Sequence, residues 1–122
     1  MTQSGLQILA QGNVTLDASG NGTLRFAPAG TSWTIERIAV KATTHTLESV
    51  CRIYNGPGVS DNYYVVGTLS GSTGDTTTGD NIFLIDGSPL YIAWTGGDVG
   101  AVATAIVWGR RLISGKGFNA FQ

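Results

Sequence analysis

The chain has 122 residues, a length typical of a single domain and sufficient to bury a hydrophobic core. Apolar residues make up 42% of the chain and charged residues only 12%, about half of the share usual in soluble domains. Lysine and arginine total 7, aspartate and glutamate total 8, and the net charge is -1. This balance excludes the strongly basic nucleic-acid-binding proteins and provides no attraction to an anionic membrane surface.

The first strand-like segments flank a predicted turn. Apolar and polar residues alternate over residues 14–16 and again over residues 24–26. Between them, Asn21 and Gly22 form an Asn-Gly pair, which favours positive φ and a tight reversal of the chain. The pattern predicts that these two segments form a β-hairpin.

The next segment predicts a strand with an irregularity. Trp33 and Ile35 share one face by the period of two that strands follow. Ile38 and Val40 also share a face, but they are out of phase with the first pair. One extra residue near Glu36 would bring all four side chains to the core, so we expect a β-bulge there.

Further strands are predicted along the rest of the chain, separated by turns rich in glycine, asparagine, aspartate and proline. The apolar phase of their strands places Trp33 and Trp94 in the core. Between two of these strands, residues 70–80 contain only Ser, Gly, Thr and Asp, which predicts an exposed loop. The remaining predicted strands cover residues 50–54, 63–69, 82–85, 90–94 and 101–108.

The last predicted strand has two different faces. One face carries small side chains, which predicts close packing by another layer. The other carries larger ones. The small face consists of Ala101, Ala103, Ala105 and Val107, and the larger face of Val102, Thr104, Ile106 and Trp108.

Together these segments predict an all-β protein, an antiparallel β-sandwich of about eight strands that resembles a jelly roll. Extended arms are expected at both ends. We divide the chain into an N-terminal arm or edge strand over residues 1–12, a β-sandwich domain over residues 13–109 and a C-terminal arm over residues 110–122.

The two arms carry the candidate interface residues. Solvated tails are usually poor in large apolar side chains, yet both ends of this chain contain them. We therefore expect the arms to contact neighbouring subunits, as an added strand at a sheet edge or as apolar anchors. The candidates are Leu6 and Ile8 at the N-terminal end, and Arg110, Arg111, Leu112, Ile113, Phe118 and Phe121 at the C-terminal end.

Residues suited to catalysis or metal binding are few. The single cysteine, Cys51, lies in an apolar run and is interpreted as a small buried side chain, with His45 too weakly placed to suggest a catalytic pair. One Cys and one His cannot form a structural zinc site. Asp75 and Asp80 lack the spacing of a calcium loop. We expect no enzymatic activity and no cofactor, and we interpret Glu36, Glu48 and Asp86 as solvated surface residues.

No apolar run reaches the roughly 18 residues that a membrane-spanning helix needs. Residues 1–5 lack the basic and apolar regions of a secretory signal, which predicts synthesis and folding in a cytoplasm.

Three segments have a shared character, the Trp-Thr-Ile-Glu-Arg-Ile-Ala-Val run at 33–40, Cys-Arg-Ile-Tyr-Asn-Gly at 51–56 and Leu-Tyr-Ile-Ala-Trp-Thr-Gly-Gly at 90–97. With these segments the chain resembles small structural proteins of tailed bacteriophages, over roughly residues 20 to 110. The resemblance implies a virion component in which a compact β-sandwich decorates the capsid, forms head fibres or sits at the neck or tail. It also implies the major capsid protein or other virion proteins as partners, and a homo-oligomer with a trimer favoured. It transfers no binding residues.

Two functions remain open at this point. The first is a capsid decoration protein, made in the host cytoplasm and located on the capsid surface, that binds through its arms and its sandwich. The second is a carbohydrate- or host-receptor-binding module of a tail or neck component. Its candidate residues combine polar and aromatic side chains in predicted loops and are Asp61, Asn62, Tyr63 and Asp75.

Overall fold

The computed structural model describes residues 7–43, 47, 49–59, 64–70, 75–84 and 87–113, without the side chains of residues 66–70, 75–81 and 113. This part of the chain contains eight β-strands and no helix, so the predicted all-β class is confirmed. The strands are β1 (Gln7–Thr15), β2 (Gly22–Phe26), β3 (Thr31–Ala42), β4 (Ser49–Asn55), β5 (Tyr64–Ser70), β6 (Asp75–Leu84), β7 (Leu90–Thr95) and β8 (Val102–Ile113).

The strands form two four-stranded antiparallel sheets. Sheet A has the order β1-β8-β3-β6 and sheet B the order β2-β7-β4-β5. The chain crosses from one sheet to the other at every connection except the one between β4 and β5. This alternation is the jelly-roll arrangement, in which two packed sheets share one core. The predicted jelly-roll-like β-sandwich of eight strands is therefore confirmed.

The core lies between the sheets and is filled by their inward-facing side chains. Trp94 on β7 is 0% exposed and Trp33 on β3 is 5% exposed, so both predicted core tryptophans are confirmed. Cys51 is also fully buried, as expected. The small-residue face of β8 belongs to this core, and small side chains let the two sheets approach closely there.

The bulge expected in β3 is confirmed. Ile35 pairs with Gly109 of β8, and the next paired residue of β3 is Arg37, opposite Trp108. The pairing of β3 with β6 also shifts between Ile35 and Arg37, but there the extra residues lie on β6, which passes from Ile82 to Thr78. Opposite β8, Glu36 is the extra residue. Its insertion restores the inward phase, so the apolar residues on both sides of the bulge are buried.

The hairpin expected between residues 14–16 and 24–26 is wrong. β1 pairs with β8 and β2 pairs with β7, so the two segments belong to different sheets. The chain does reverse, but it arches across the sandwich. Positive φ occurs at Gly20, with φ of 77°, where the turn meets the β7–β8 connection. There Gly97 N–H donates to the carbonyl oxygen of Gly20 at 3.0 Å.

This arch is organised by one carboxylate. Asp17 Oδ1 accepts hydrogen bonds from the N–H of Ser19 at 2.8 Å and of Asn21 at 3.0 Å. The bonds from Asn21 and then Ser19 favour the charged form and lower the pKa of Asp17 below its usual value.

We expect this carboxylate to add a small pH-dependent term to stability. Because its pKa is lower in the folded chain, its contribution is present above the unfolded pKa of about 4 and is lost as the pH falls below it. Asp17→Ala should flatten the dependence of the urea midpoint on pH between about 5 and 2. An unchanged pH profile in the variant would contradict the assignment.

The prediction of an exposed loop over residues 70–80 is wrong for residues 75–80. β6 begins at Asp75 and pairs with β3 from the pair Val40–Asp75 onward. Asp75 and Asp80 are therefore both residues of an edge strand.

The strands extend into both predicted arms. Gln7–Thr15 is an edge strand of sheet A, so it includes residues 7–12 of the predicted N-terminal arm or edge strand. At the other end, β8 continues to Ile113, so the first four residues of the predicted C-terminal arm pair within the sheet. In the described part of the chain, no helix is long and apolar enough to cross a membrane.

Candidate docking surface

The outward side of sheet A presents a surface of mixed apolar and basic character. β8 lies in the interior of this sheet, between β1 and β3. Its residues alternate, so the side chains opposite to the buried alanine face point to solvent. We define the outer face of sheet A by its large apolar and charged residues, which are Ile8, Glu36, Arg37, Lys41, Phe83, Val102, Ile106, Trp108, Arg110 and Leu112.

Apolar side chains follow β8 along this face. Ile8 of β1 lies opposite Trp108, and Leu112 follows four residues further along β8. Ile8 is 45% exposed and Leu112 is 44% exposed, while Phe83 of β6 is 49% exposed. Single exposed apolar residues are ordinary, but several on one sheet face are typical of an interaction surface.

The β-bulge determines how the charged residues are presented on this face. Glu36 and Arg37 are consecutive, and the extra residue lets both point outward. The Arg37 guanidinium carbon lies 4.3 Å from the centre of the Trp108 ring, in a cation–π contact. Arg110 donates from Nη1 to Oε2 of Glu36 and forms an ion pair. The bulge therefore fixes two arginines beside one tryptophan.

Gly109 makes this arrangement possible. It lies opposite the bulge, and a Cβ atom at this position would overlap the carbonyl oxygen of Thr34. The same atom would lie 2.9 Å from Leu9 Cδ1 and 3.0 Å from Ile35 Cα. Only glycine permits this approach of β8 to β3.

Arg111, two residues after Gly109 on β8, links the sheet to its edge strand. Arg111 donates from Nη1 to Gln7 Oε1 and from Nη2 to the carbonyl oxygen of Leu9, both at 3.1 Å. These bonds join the end of β8 to the beginning of β1 and hold Ile8 beside Trp108. Arg111 thus has a positioning role at the rim of the outer face.

Charge on the outer face is unequal. Arg37, Lys41 and Arg110 lie there, whereas Glu36 is its one acidic residue among the side chains that the structure describes. The chain as a whole has a net charge of -1. Four of the seven basic residues lie on the strands of this sheet, three of them on its outer face, which favours a partner surface that carries carboxylates.

The structure brings together part of the predicted interface set. Ile8, Arg110 and Leu112 share the outer face, and Arg111 supports it from the rim. Ile113 is the last residue of β8 and pairs with Thr31. The other three candidates, Leu6, Phe118 and Phe121, lie outside the described residues.

The surface also includes residues that were not among the sequence candidates. Trp108 is the central one, and the alternation of β8 had already placed it opposite to the small-residue face. The sequence did not mark Arg37 and Phe83 as surface candidates, because it does not show which strands lie beside theirs.

The residues of the receptor-binding alternative do not form a described site. Asp61, Asn62 and Tyr63 lie outside the described residues, as do His45, Glu48 and Asp86. Asp75 is the first residue of β6, and its side chain is not described. Within the described ranges, no group of three or more His, Cys, Asp and Glu residues could hold a metal ion.

No protein-family model matches this chain, and no curated protein matches it at a significant level.

Proposed function

We propose that this chain is a non-enzymatic structural protein of a tailed-bacteriophage virion, a capsid decoration protein that docks through the outer face of sheet A. The partner is the major capsid protein or another virion protein, and the location is the capsid surface, reached after synthesis in the host cytoplasm. The observation that carries the proposal is the pairing of exposed Ile8 with half-buried Trp108, with Arg37 packed on the indole. The jelly roll supports it further, because this architecture recurs in viral shells.

The residue types on this face are those that contribute most to binding. Tryptophan and arginine are enriched among the few residues at interface centres whose removal costs about 2 kcal/mol or more. Trp108 is half-buried and already in contact with Arg37, so ordering it on binding loses little side-chain entropy. The surrounding apolar residues exclude water from the contact.

The first expected result concerns Trp108. Trp108→Ala should weaken binding to empty capsid shells of the phage that encodes the chain by at least about tenfold, since 1.4 kcal/mol corresponds to a factor of ten. Co-sedimentation with the shells measures this directly. Circular dichroism and urea unfolding should show that the variant keeps its fold, because Trp108 lies outside the buried core.

Val99→Ala is the matched control, because Val99 is 68% exposed in the β7–β8 connection and lies away from the outer face. Its binding should equal that of the unchanged chain. Equal binding of the Trp108 variant would refute docking through this face. Binding by a chain truncated after Ile113 gives the contribution of the rest of the C-terminal arm separately, since this chain keeps all of β8.

The carbohydrate- or receptor-binding module is the second candidate. Jelly rolls also occur in lectins. Tyr64 at the start of β5 is 47% exposed and packs edge-on against Tyr54 at 5.9 Å between ring centres, directly after the candidate residues 61–63. A glycan-array signal that disappears in Tyr63→Ala, together with no binding to shells, would favour this function over decoration.

A further inference from the structure

β1 is an edge strand that has little of the usual protection against pairing with another chain. Natural edge strands carry charges or proline, are short, or are interrupted by bulges. Gln7–Thr15 is nine residues long and contains no charged residue and no proline. Its one register shift lies between Ile8 and Ala10, so residues 10–15 form a regular ladder with β8.

The other edges of the sandwich differ from β1. β2 has only five residues and includes Arg25. β6 contains Asp75 and Asp80. β5 is uncharged and seven residues long. β1 is therefore the longest uncharged edge among the described strands.

The hydrogen bonds show which backbone groups of β1 face away from the sheet. Val102 is the register partner of Thr15, but its C=O accepts from Thr43 N–H at 3.0 Å and its N–H donates to Thr43 Oγ1 at 2.9 Å. Leu16 N–H, one residue later, donates to the carbonyl oxygen of Ala101 at 2.8 Å. Hydrogen bonding alternates along an antiparallel strand. The backbone N–H and C=O groups of Gln11, Asn13 and Thr15 therefore point away from β8, beyond the edge of the sheet.

We propose that two copies of this chain associate through β1, paired antiparallel about a two-fold axis at Asn13. This register places Asn13 opposite its own copy and Gln11 opposite Thr15 of the other copy. The backbone groups of these three residues in each copy, which point away from β8, then form about six hydrogen bonds across the axis. Sheet A of one copy continues into sheet A of the other, as one eight-stranded sheet.

The side chains of β1 suit this self-pairing. Gln11, Asn13 and Thr15 are exposed and uncharged, so their amide and hydroxyl groups meet without repulsion between like charges. A two-fold contact is closed, which limits assembly to two copies. Pairing also sets two outer faces side by side, so a dimer offers two linked docking surfaces. The inference does not depend on what docks there.

Light scattering on a sizing column tests the pairing with the full chain. The expected mass rises with concentration towards that of two 12.7 kDa chains, because an edge contact buries less than the roughly 800 Å² per partner of a standard interface. Asn13→Lys places two like charges opposite each other at the axis and should return the mass to one chain. Thr23→Lys, at an exposed position of the edge strand β2, is the control and should leave the dimer intact.

A cross-linking variant tests the register. In Asn13→Cys the two introduced thiols face each other across the axis, so oxidation should give a covalent dimer, while Thr23→Cys should not. Cys51 is fully buried and does not interfere. A single-chain mass at every concentration overturns the proposal. The mass of a trimer, which the resemblance favours, would overturn it as well. A dimer that Asn13→Lys leaves unchanged would also overturn it, for example one that pairs through β5.

Discussion

Trp94→Ala is expected to destabilise the fold by about 3–5 kcal/mol, a large part of the 5–15 kcal/mol that holds a typical domain together. Trp94 is 0% exposed and is among the largest fully buried side chains in the described core. It lies on β7 between β2 and β4, opposite Gly22 and Cys51. Truncation would leave a cavity in sheet B that close-packed neighbours can fill only in part.

Urea unfolding followed by far-UV circular dichroism measures this effect. Trp108→Ala is the matched control, since it removes the same side chain from the half-exposed outer face. We expect a loss of only about 1 kcal/mol there, as for a partly exposed site. Similar losses in both variants would show that Trp94 is not a central core residue.

Gly109→Ala is expected to destabilise the fold by about 2–4 kcal/mol, as for an overpacked interior. The added methyl group would overlap the carbonyl oxygen of Thr34 and press on Ile35 Cα, and both of these are backbone atoms. The bulge must then shift, which moves Arg37 away from Trp108. Docking should therefore weaken more than the loss of stability alone explains, when binding is measured under conditions where the variant remains folded.

Gly58→Ala supplies the control for Gly109→Ala. Among the described residues, apart from its chain neighbours, no atom lies within 4 Å of a Cβ at Gly58, and its φ is not positive, so a change within about 0.5 kcal/mol is expected. If Gly109→Ala were as mild as this control, the close approach of β8 to the bulge would be incorrect.

The bulge and the two faces of β8 could be predicted from the sequence because they depend on phase within one strand. Trp33 and Ile38 must both reach the core, and only an inserted residue allows it. The small-residue face of β8 likewise identified the side that packs against the opposing sheet. Local periodicity carries this information without any knowledge of strand partners.

The pairing of the strands could be predicted less well from the sequence. Asn21 and Gly22 correctly indicated a reversal, but a reversal within a sheet and an arch between sheets share the same turn residues. Residues 75–80 were misinterpreted because they lack apolar side chains. Their threonines nevertheless favour extended backbone, and pairing with β3 satisfies their hydrogen bonds.

The docking surface depends even more on strand order. Ile8, Phe83 and Trp108 come from three strands far apart in sequence, and only the order of sheet A brings them to one face. The C-terminal segment that contains Arg110 and Leu112 did carry a signal, because it includes large apolar side chains that are rare in a solvated tail.

The position of β8 has a consequence for synthesis of the protein. It is the last of the eight strands in sequence, yet it lies inside sheet A and separates β1 from β3. A ribosome that has released β1 and β3 has therefore exposed two strands whose shared neighbour does not yet exist. Such non-local pairing folds slowly, in milliseconds to seconds, and leaves strand edges open to aggregation meanwhile. The outer face of sheet A forms only once β8 has been made, so a partner cannot recognise a nascent chain that lacks it.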